Sequence, residues 1–356
     1  MRLFDCQACG NAVHFENASC VECGHLLGYI SDQATLSALE PADGDDWYPL
    51  AAPDTLFRFC ANSVEGACNW LIPADSPETL CASCRHNLVV PDLTDETHRR
   101  AWVAMEQAKH YLIYSLLRWR LPLPNRIDDP QEGLGFEFLA DVTNPDGTVT
   151  HVTTGHDQGR ITINIAEADD SEREARRKAM GEPYRTLLGH FRHEIGHFYW
   201  DHLVRDDPAR LEQCRSLFGD DSADYGAALQ QHYAAGPPAD WQLRFISAYA
   251  SSHPWEDFAE TWAHYMHMVD ALETAYAYGL ILRPKAVRRA PLSGMVSFDP
   301  YTTGTIDDLI RAWVPLTVAV NSLNRSLGQP DLYPFVMPEA VVAKLGFIHE
   351  LVRGAG

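Results

Sequence analysis

The segment His193-Glu194-Ile195-Gly196-His197 constrains the fold more than any other part of the chain. On an α-helix, side chains at positions i and i+4 lie one above the other on the same face. A helical conformation therefore lets His193 and His197 present two imidazole nitrogens to one cation, with Glu194 about a third of a turn away. Two imidazoles beside a carboxylate that can take a proton from water suit a hydrolytic zinc site. We expect this segment to be helical and to bind zinc.

Composition limits the classes of partner. The chain has 356 residues, 46% of them hydrophobic, and a net charge of −21 with histidine neutral. This negative charge repels phosphate backbones and argues against nucleic acid as a partner. No apolar run approaches the roughly 20 residues of a membrane span, and the first residues lack the apolar stretch of a signal peptide. We expect no nucleic-acid or membrane partner and a cytoplasmic location.

Eight of the nine cysteines lie before residue 85, and paired thiols in a cytosolic protein usually bind metal rather than form disulfides. The first four form two Cys-x-x-Cys-Gly turns, the pattern of a tetrahedral structural zinc site: Cys6, Cys9, Cys20 and Cys23. The second four combine one tight pair with one pair separated by seven residues: Cys60, Cys68, Cys81 and Cys84. This second set predicts another structural zinc, and the alternative is four buried thiols in a small lobe.

The cysteine-rich region is acidic. Residues 1–90 contain three basic and twelve acidic residues. Zinc ribbons often bind nucleic acid, but such a surface cannot neutralise phosphates. We therefore expect the metal of the cysteine-rich region to have a structural role, because it would stabilise a region with a small core. The acidic surface also offers a site for a protein partner.

Periodicity predicts helices for most of the remaining chain. Apolar residues recur at helical spacing over 95–120, 305–323 and 337–352. Residues 205–240 are mixed in character and are expected to be irregular. Strand-like alternation and turn residues predict antiparallel hairpins between 135 and 165. The edge strand of that sheet could hold an extended peptide through backbone hydrogen bonds, or the sheet could be an ordinary cover.

A third metal ligand is offered by the segment that begins at Pro254. Proline suits the first turn of a helix, and Glu256 and Glu260 then share one face. A catalytic zinc usually takes three protein ligands and leaves its fourth position to water. Glu256 completes this set, and Glu260 can accept the outer N–H of a ligand histidine, although either carboxylate could reach the ion. The alternative is that both are surface charges of an amphipathic helix.

Two further histidines flank the motif. His190 and His202 are additional candidate ligands. A metzincin needs a third histidine six residues after the second, and position 203 is leucine, so that subclass is excluded.

The pattern His193-Glu-x-x-His197 with Glu256-x-x-x-Glu260 resembles the gluzincin metallopeptidases. The run from Glu256 to Glu260 is similar to the site of anthrax lethal factor, where a catalytic tyrosine precedes the ligand glutamate by seven positions; that position here is Tyr249. Over nearly its full length the chain is similar to a bacterial family of zinc-binding metallopeptidases with an N-terminal zinc ribbon. The resemblance implies a zincin fold and peptidase chemistry, with Glu256 as ligand and Tyr249 as donor to the oxyanion.

We predict an α+β chain with a zinc-ribbon region over residues 1–92. A mainly helical, zincin-like metallopeptidase domain with a small antiparallel sheet follows over residues 93–356. We expect one catalytic and two structural zinc ions and a peptide or protein substrate, hydrolysed by zinc-activated water with Glu194 as general base. The alternative is a zinc-stapled adaptor protein with a vestigial metal core.

Overall fold

The computed structural model describes residues 2–174, 186–285 and 292–355, which form two compact units. The first unit comprises Met1–Arg118 and Leu123–Arg173, and the second comprises Trp119–Pro122 and Glu174–Gly356. The expected α+β class is confirmed, with a strand-rich N-terminal region and a mainly helical C-terminal part. The boundary at residues 92 and 93 stays a prediction, and the first unit extends beyond it. Among the described residues, no helix is both long and apolar enough to cross a membrane.

The N-terminal region of the first unit is built from short antiparallel strands. A hairpin of β1 (Phe4–Asp5) and β2 (Ala12–Val13) precedes a five-stranded sheet in sequential order. Its strands are β3 (Leu27–Ile30), β4 (Thr35–Pro41), β5 (Trp47–Pro49), β6 (Phe57–Phe59) and β7 (Leu71–Pro73). The ring centroids of Phe15 and Trp70 each lie 4.8 Å from that of Tyr29. These buried aromatic rings give the cysteine-rich region a small core of its own.

Helix α1 (Glu96–Arg118) agrees with the helix predicted over residues 95–120. Asp95 precedes the helix and caps it, because its Oδ1 accepts hydrogen bonds from the backbone N–H groups of Thr97 and His98 at 2.8 and 3.2 Å. Trp102 and Leu112 belong to its buried apolar stripe. The apolar stripe of α1 therefore faces the core of the first unit, as its amphipathic pattern predicts.

A four-stranded mixed sheet completes the first unit, in the order β12-β13-β9-β8. The strands are β8 (Asn87–Val89), β9 (Gly135–Leu139), β12 (Gly155–Asp157) and β13 (Arg160–Asn164), with a separate hairpin of β10 (Val142–Thr143) and β11 (Val149–Thr150). The predicted antiparallel pairing occurs in β12–β13 and β10–β11. It is wrong for β9, which pairs parallel with β13 because the long connection between them lets the chain return in the same direction. Peptide binding at the edge strand β12 stays a prediction.

The second unit is mainly helical. Its described elements are α2 (Leu187–Trp200), α3 (Pro208–Phe218), α4 (Tyr225–Ala235), α5 (Pro254–Ala277), β14 (Ile281–Leu282), β15 (Gly294–Met295), α6 (Ile306–Ser326) and α7 (Glu339–Ala355). The prediction that residues 205–240 are irregular is wrong, since α3 and α4 occupy much of that range. Both helices lack a wide apolar stripe, and they begin where Asp207 and Asp224 cap the backbone N–H groups.

Helices α2 and α5 approach each other closely at Gly196. A Cβ atom at this position would lie 2.9 Å from the Cα atom and 3.2 Å from the carbonyl oxygen of Ala259. One turn along, the rings of Tyr199 and Trp262 stack with centroids 5.0 Å apart. Small residues on both helices therefore allow the backbones to meet, and the flanking aromatic rings fill the space beside them.

Helix α7 is tied to the start of α5 by a buried ion pair. Lys344 Nζ donates to Asp257 Oδ2 at 2.5 Å and to the carbonyl oxygen of Arg244 at 2.8 Å. Both charged side chains are almost completely buried, so loss of one partner would leave the other uncompensated. This contact secures the first turn of α5.

We predict that Gly196→Ala destabilises the protein by about 1–3 kcal/mol, because the new methyl group must push α2 and α5 apart. The midpoint of urea unfolding measures the effect. Gly226→Ala in α4 is the matched control, since its Cβ would meet only Asp224 Oδ1 at 3.6 Å. The control should be neutral or stabilising by up to about 1 kcal/mol. Equal stability of Gly196→Ala and the unmodified protein would refute the tight crossing.

Candidate metal centre

His193 and His197 lie one turn apart on α2, with ring centroids 4.9 Å apart. Thr186 caps this helix by accepting a hydrogen bond from Gly189 N–H at 3.0 Å. Buried residues such as Phe191 hold α2 within the core of the second unit. The two histidines therefore share one face of α2, as their i,i+4 spacing predicts. The buried residues of α2 hold that face in a fixed position.

Helix α5 supplies a third donor. His253 caps it by accepting the backbone N–H of Trp255 on Nδ1 at 3.1 Å, and Pro254 occupies the first turn. This start places Glu256 near the positive end of the helix, where its carboxylate is favoured. The oxygens of Glu256 lie 2.9 Å from His193 Nε2 and 3.7 Å from His197 Nε2.

The donor atoms of His193, His197 and Glu256 lie within 4.8 Å of one another. Two imidazole nitrogens and one carboxylate oxygen form a donor set typical of catalytic zinc. Only 1% of Glu256 is exposed, and a buried carboxylate needs a cation or several hydrogen bonds to offset its desolvation. The residues therefore fit a zinc ion by donor type, proximity and burial.

The local electrostatics also favour a positive charge at this point. Burial disfavours the charged form of His193, but its hydrogen bonds to the carboxylates of Glu256 and Glu260 outweigh this effect and hold the pKa of His193 well above its ordinary value. Burial likewise opposes ionisation of Glu256, but the charge of His197 and the hydrogen bond of His193 hold its pKa well below its usual range. Negative charge from two carboxylates thus surrounds the metal-facing imidazoles.

Glu260 lies one turn beyond Glu256 and contacts the other nitrogen of a histidine. Its Oε1 is 2.8 Å from His193 Nδ1, and its Oε2 accepts a hydrogen bond from Ser247 Oγ at 2.5 Å. Burial raises its pKa, but the hydrogen bond with His193 outweighs this and lowers the pKa to about 2. The ionised carboxylate can therefore orient His193 with Nε2 toward the metal position. This is the geometry that the predicted outer role of Glu260 requires.

Glu194 is the acid within the motif. It is 8% exposed, and its carboxylate makes no hydrogen bond to any residue that the structure describes. Burial raises the pKa of Glu194 above its ordinary value. A carboxylate with free oxygens and an increased proton affinity is suited to act as a general base.

Tyr249 lies in a short 3₁₀ turn, Tyr249–Ser251, just before α5. Its ring centroid is 5.9 Å from that of His193. Within the described ranges its hydroxyl has no hydrogen-bond partner. Burial raises the pKa of Tyr249, so the hydroxyl keeps its proton at neutral pH. Tyr249 is therefore near the candidate site with a donor still available.

Sequence reasoning missed three neighbours of the site. Tyr225, at the start of α4, donates from its hydroxyl to Glu256 Oε1 at 2.6 Å. The ring of Trp255 lies 3.8 Å from that of His197, and Ser247 contacts Glu260. Asp224 is a recognisable helix-capping residue and could have indicated α4. No sequence pattern indicates that the tyrosine after it reaches α5.

The flanking histidines lie outside the group of donors. His202 Nδ1 contacts the carbonyl oxygen of Phe198 at 3.0 Å, and its ring stacks on that phenylalanine. His202 and His190 do not join the His193, His197 and Glu256 group among the residues described. Their candidacy as ligands receives no support from this arrangement.

The first four cysteines form one cluster. Sulfur–sulfur distances are 3.6 Å between Cys6 and Cys23 and 3.7 Å between Cys9 and Cys20. A tetrahedral zinc with Zn–S bonds of about 2.3 Å has sulfurs roughly 3.8 Å apart. The four thiols are therefore spaced for a structural zinc ion.

The second four cysteines also converge, despite their irregular spacing in sequence. The sulfurs of Cys60, Cys68, Cys81 and Cys84 lie within 4.8 Å of one another, with 3.7 Å between those of Cys68 and Cys81. The sequence left two alternatives, a second structural zinc site and four buried thiols in a small lobe. Clustering of all four sulfurs favours the zinc site.

Two family models match this chain. Residues 98–351 match the family described as "Putative zinc-binding metallo-peptidase", and residues 3–95 match a "zinc-ribbon domain" family. Uncharacterized proteins of Mycobacterium tuberculosis and Mycobacterium bovis are 41% identical over 352 residues, which cover 99% of this chain and 95% of each relative. No solved structure matches the chain. The likeness to anthrax lethal factor thus rests on the sequence pattern alone.

We predict different outcomes for the two glutamates of α5. Glu256→Ala leaves two protein donors and should abolish zinc binding at this site at micromolar metal. Glu260→Ala removes only the partner of His193 and should weaken metal affinity roughly 10–100-fold. Zinc content per chain and chelator competition measure both effects, with the exposed Glu212→Ala as the control. The reverse order of losses would make Glu260 the ligand.

Proposed function

The chain belongs to the family described as "Putative zinc-binding metallo-peptidase", and from that membership we propose that it is a zinc-dependent metallopeptidase. The substrate class is a peptide or protein, cleaved by hydrolysis at the His193, His197 and Glu256 site. The proposal places the enzyme among gluzincin-like peptidases, because its third ligand would be a glutamate on a second helix.

One arrangement carries the proposal. Three donors of zinc type converge in the second unit, and the adjacent Glu194 carboxylate has no hydrogen bond among the described residues. A structural zinc site is usually closed by four protein ligands, whereas three protein donors leave a position for water or substrate. An unpaired acid beside such an open position supports hydrolysis rather than a structural role.

Zinc held by these residues would polarise the scissile carbonyl and lower the pKa of a nearby water. Glu194 takes a proton from the attacking water and later delivers it to the leaving amine. Tyr249 donates a hydrogen bond to the oxyanion that develops on the carbonyl oxygen. Glu260 keeps His193 oriented through its Nδ1 hydrogen bond.

The two tyrosines near the site have different parts in this proposal. The hydroxyl of Tyr225 is engaged with Glu256 Oε1, so it positions the ligand carboxylate. The hydroxyl of Tyr249 is not engaged by any described residue, and burial keeps it protonated. Tyr249 is therefore assigned the donor role, and Tyr225 the positioning role.

The decisive experiment is cleavage of a peptide library by the purified protein. We expect cleavage that a chelator abolishes and that added zinc restores. If a fully metal-loaded protein cleaves no member of the library, the adaptor interpretation with a vestigial metal core replaces the peptidase proposal.

We predict that Glu194→Gln lowers kcat by about 10²–10⁴-fold, because the amide cannot accept the proton. Zinc at the site should be retained, since Glu194 is not one of the three donors. Kinetics and metal analysis of the same preparation test both statements, with Glu212→Gln as control. Substantial activity in Glu194→Gln would show that the mechanism is wrong.

We predict opposite signatures for the two tyrosines. Tyr249→Phe should lower kcat about 10²–10³-fold with little change in metal affinity. Tyr225→Phe should weaken metal affinity roughly 10–100-fold, because Glu256 loses the group that orients it. Chelator competition and kinetics separate the effects, and the exposed Tyr276→Phe serves as control. A pure increase in KM for Tyr249→Phe would make it a binding residue instead.

A further inference from the structure

Helix α1 faces the second cysteine cluster with a histidine. His110 lies in the middle of α1 and is 4% exposed. Its Nε2 is 3.3 Å from Cys68 Sγ and 3.8 Å from Cys84 Sγ. The imidazole thus lies next to two of the four sulfurs, those of Cys68 and Cys84.

The second ring nitrogen of His110, Nδ1, contacts the backbone of α1. Nδ1 is 2.5 Å from the backbone carbonyl oxygen of Glu106, and a carbonyl oxygen can only accept a hydrogen bond. Nδ1 is therefore a donor. Nε2 faces the sulfur atoms of Cys68 and Cys84. The ring therefore spans from the backbone of α1, at Nδ1, to the sulfurs of the cluster, at Nε2.

A buried charged group on α1 accompanies this histidine. Glu106 Oε2 lies 3.5 Å from Cys84 Sγ, while its Oε1 accepts hydrogen bonds from Asn87 Nδ2 and Lys109 Nζ, both at 2.8 Å. The side chains of Glu106 and Lys109 are completely buried. Buried ionic groups require well-placed partners, and those partners are supplied by α1 and by the segment after Cys84.

Trp70, which follows the cysteine cluster's Cys68 in sequence, contacts both the cluster and His110. Its backbone N–H donates to Cys68 Sγ at 3.4 Å, and its ring centroid is 5.1 Å from that of His110. Four thiolates around one zinc carry excess negative charge, which is costly in a buried site. The His110 ring lies against the cluster on the α1 side, and the Trp70 backbone N–H donates to it on the ribbon side.

We propose that His110 fastens helix α1 to the metal cluster of Cys60, Cys68, Cys81 and Cys84. Zinc at this cluster would then hold α1 in place as well as the ribbon. The residues that match the metallopeptidase family begin at residue 98, within α1, so this metal site would anchor the start of that segment. The inference does not depend on peptidase activity and requires only metal at the second cluster.

Amide hydrogen exchange of the full-length protein tests the link. Cys60→Ser disrupts the second cluster and should speed exchange across α1 by about tenfold or more. Cys9→Ser disrupts the first cluster and is the control. Because Phe15 and Glu16 near that cluster also contact Tyr111 of α1, it should speed α1 exchange by much less than Cys60→Ser. Equal α1 exchange in the two variants would overturn the proposal.

The role of His110 itself is tested by metal affinity and spectroscopy in the Cys9→Ser background. His110→Ala should weaken cobalt binding at the second cluster roughly 10–100-fold and shift its thiolate-to-cobalt absorption band. His110→Gln, which keeps a polar side chain of similar reach, should recover part of the affinity. His98→Ala, on the same helix and without a sulfur contact among the described residues, is the control. Unchanged affinity and band position in His110→Ala would refute the assigned role.

A wild-type experiment covers the case in which a variant fails to fold. Cobalt is withdrawn stepwise from the loaded protein with a chelator while α1 exchange is followed. Under the proposal, α1 loses protection in step with loss of cobalt from the second cluster. Constant protection of α1 after this cluster has been emptied would contradict it.

Discussion

Burial of the Glu256 carboxylate against two imidazoles is the interaction on which the candidate site depends. A buried anion is unfavourable unless cations or donors surround it, and here His193 and His197 supply the nearest nitrogens. Tyr225 donates to the same carboxylate. The contact requires helices α2 and α5, which are distant in sequence, to approach closely, so it depends on the packing at Gly196.

The start of α5 shows how local structure serves this contact. His253 caps the helix, and Pro254 favours its first turn, so the chain enters the helix with Glu256 already directed at α2. Lys344 binds the next residue, Asp257, and holds this turn against α7. The contact with α7 therefore stabilises the helix turn that contains Glu256.

Short-range regularities explain what could be predicted from the sequence. The spacing of His193 and His197 and the one-turn step from Glu256 to Glu260 follow from helix geometry alone. Tyr225 was not predictable in the same way, since α4 has little apolar periodicity and its contact spans 31 residues. The approach of His110 to thiols before residue 85 is likewise a tertiary contact. Local pattern also could not predict the parallel pairing of β9.

The two compact units contain different kinds of candidate metal site. Four sulfurs saturate a tetrahedral ion and leave no position for a substrate, so the cysteine clusters of the first unit suit a structural role. Two histidines and one glutamate leave a position open beside Glu194 in the second unit. This difference in donor count supports the proposal that hydrolysis occurs at the residues of α2 and α5. What remains for the ribbon is to stabilise its own small core and, through His110, the helix with which the peptidase-like segment begins.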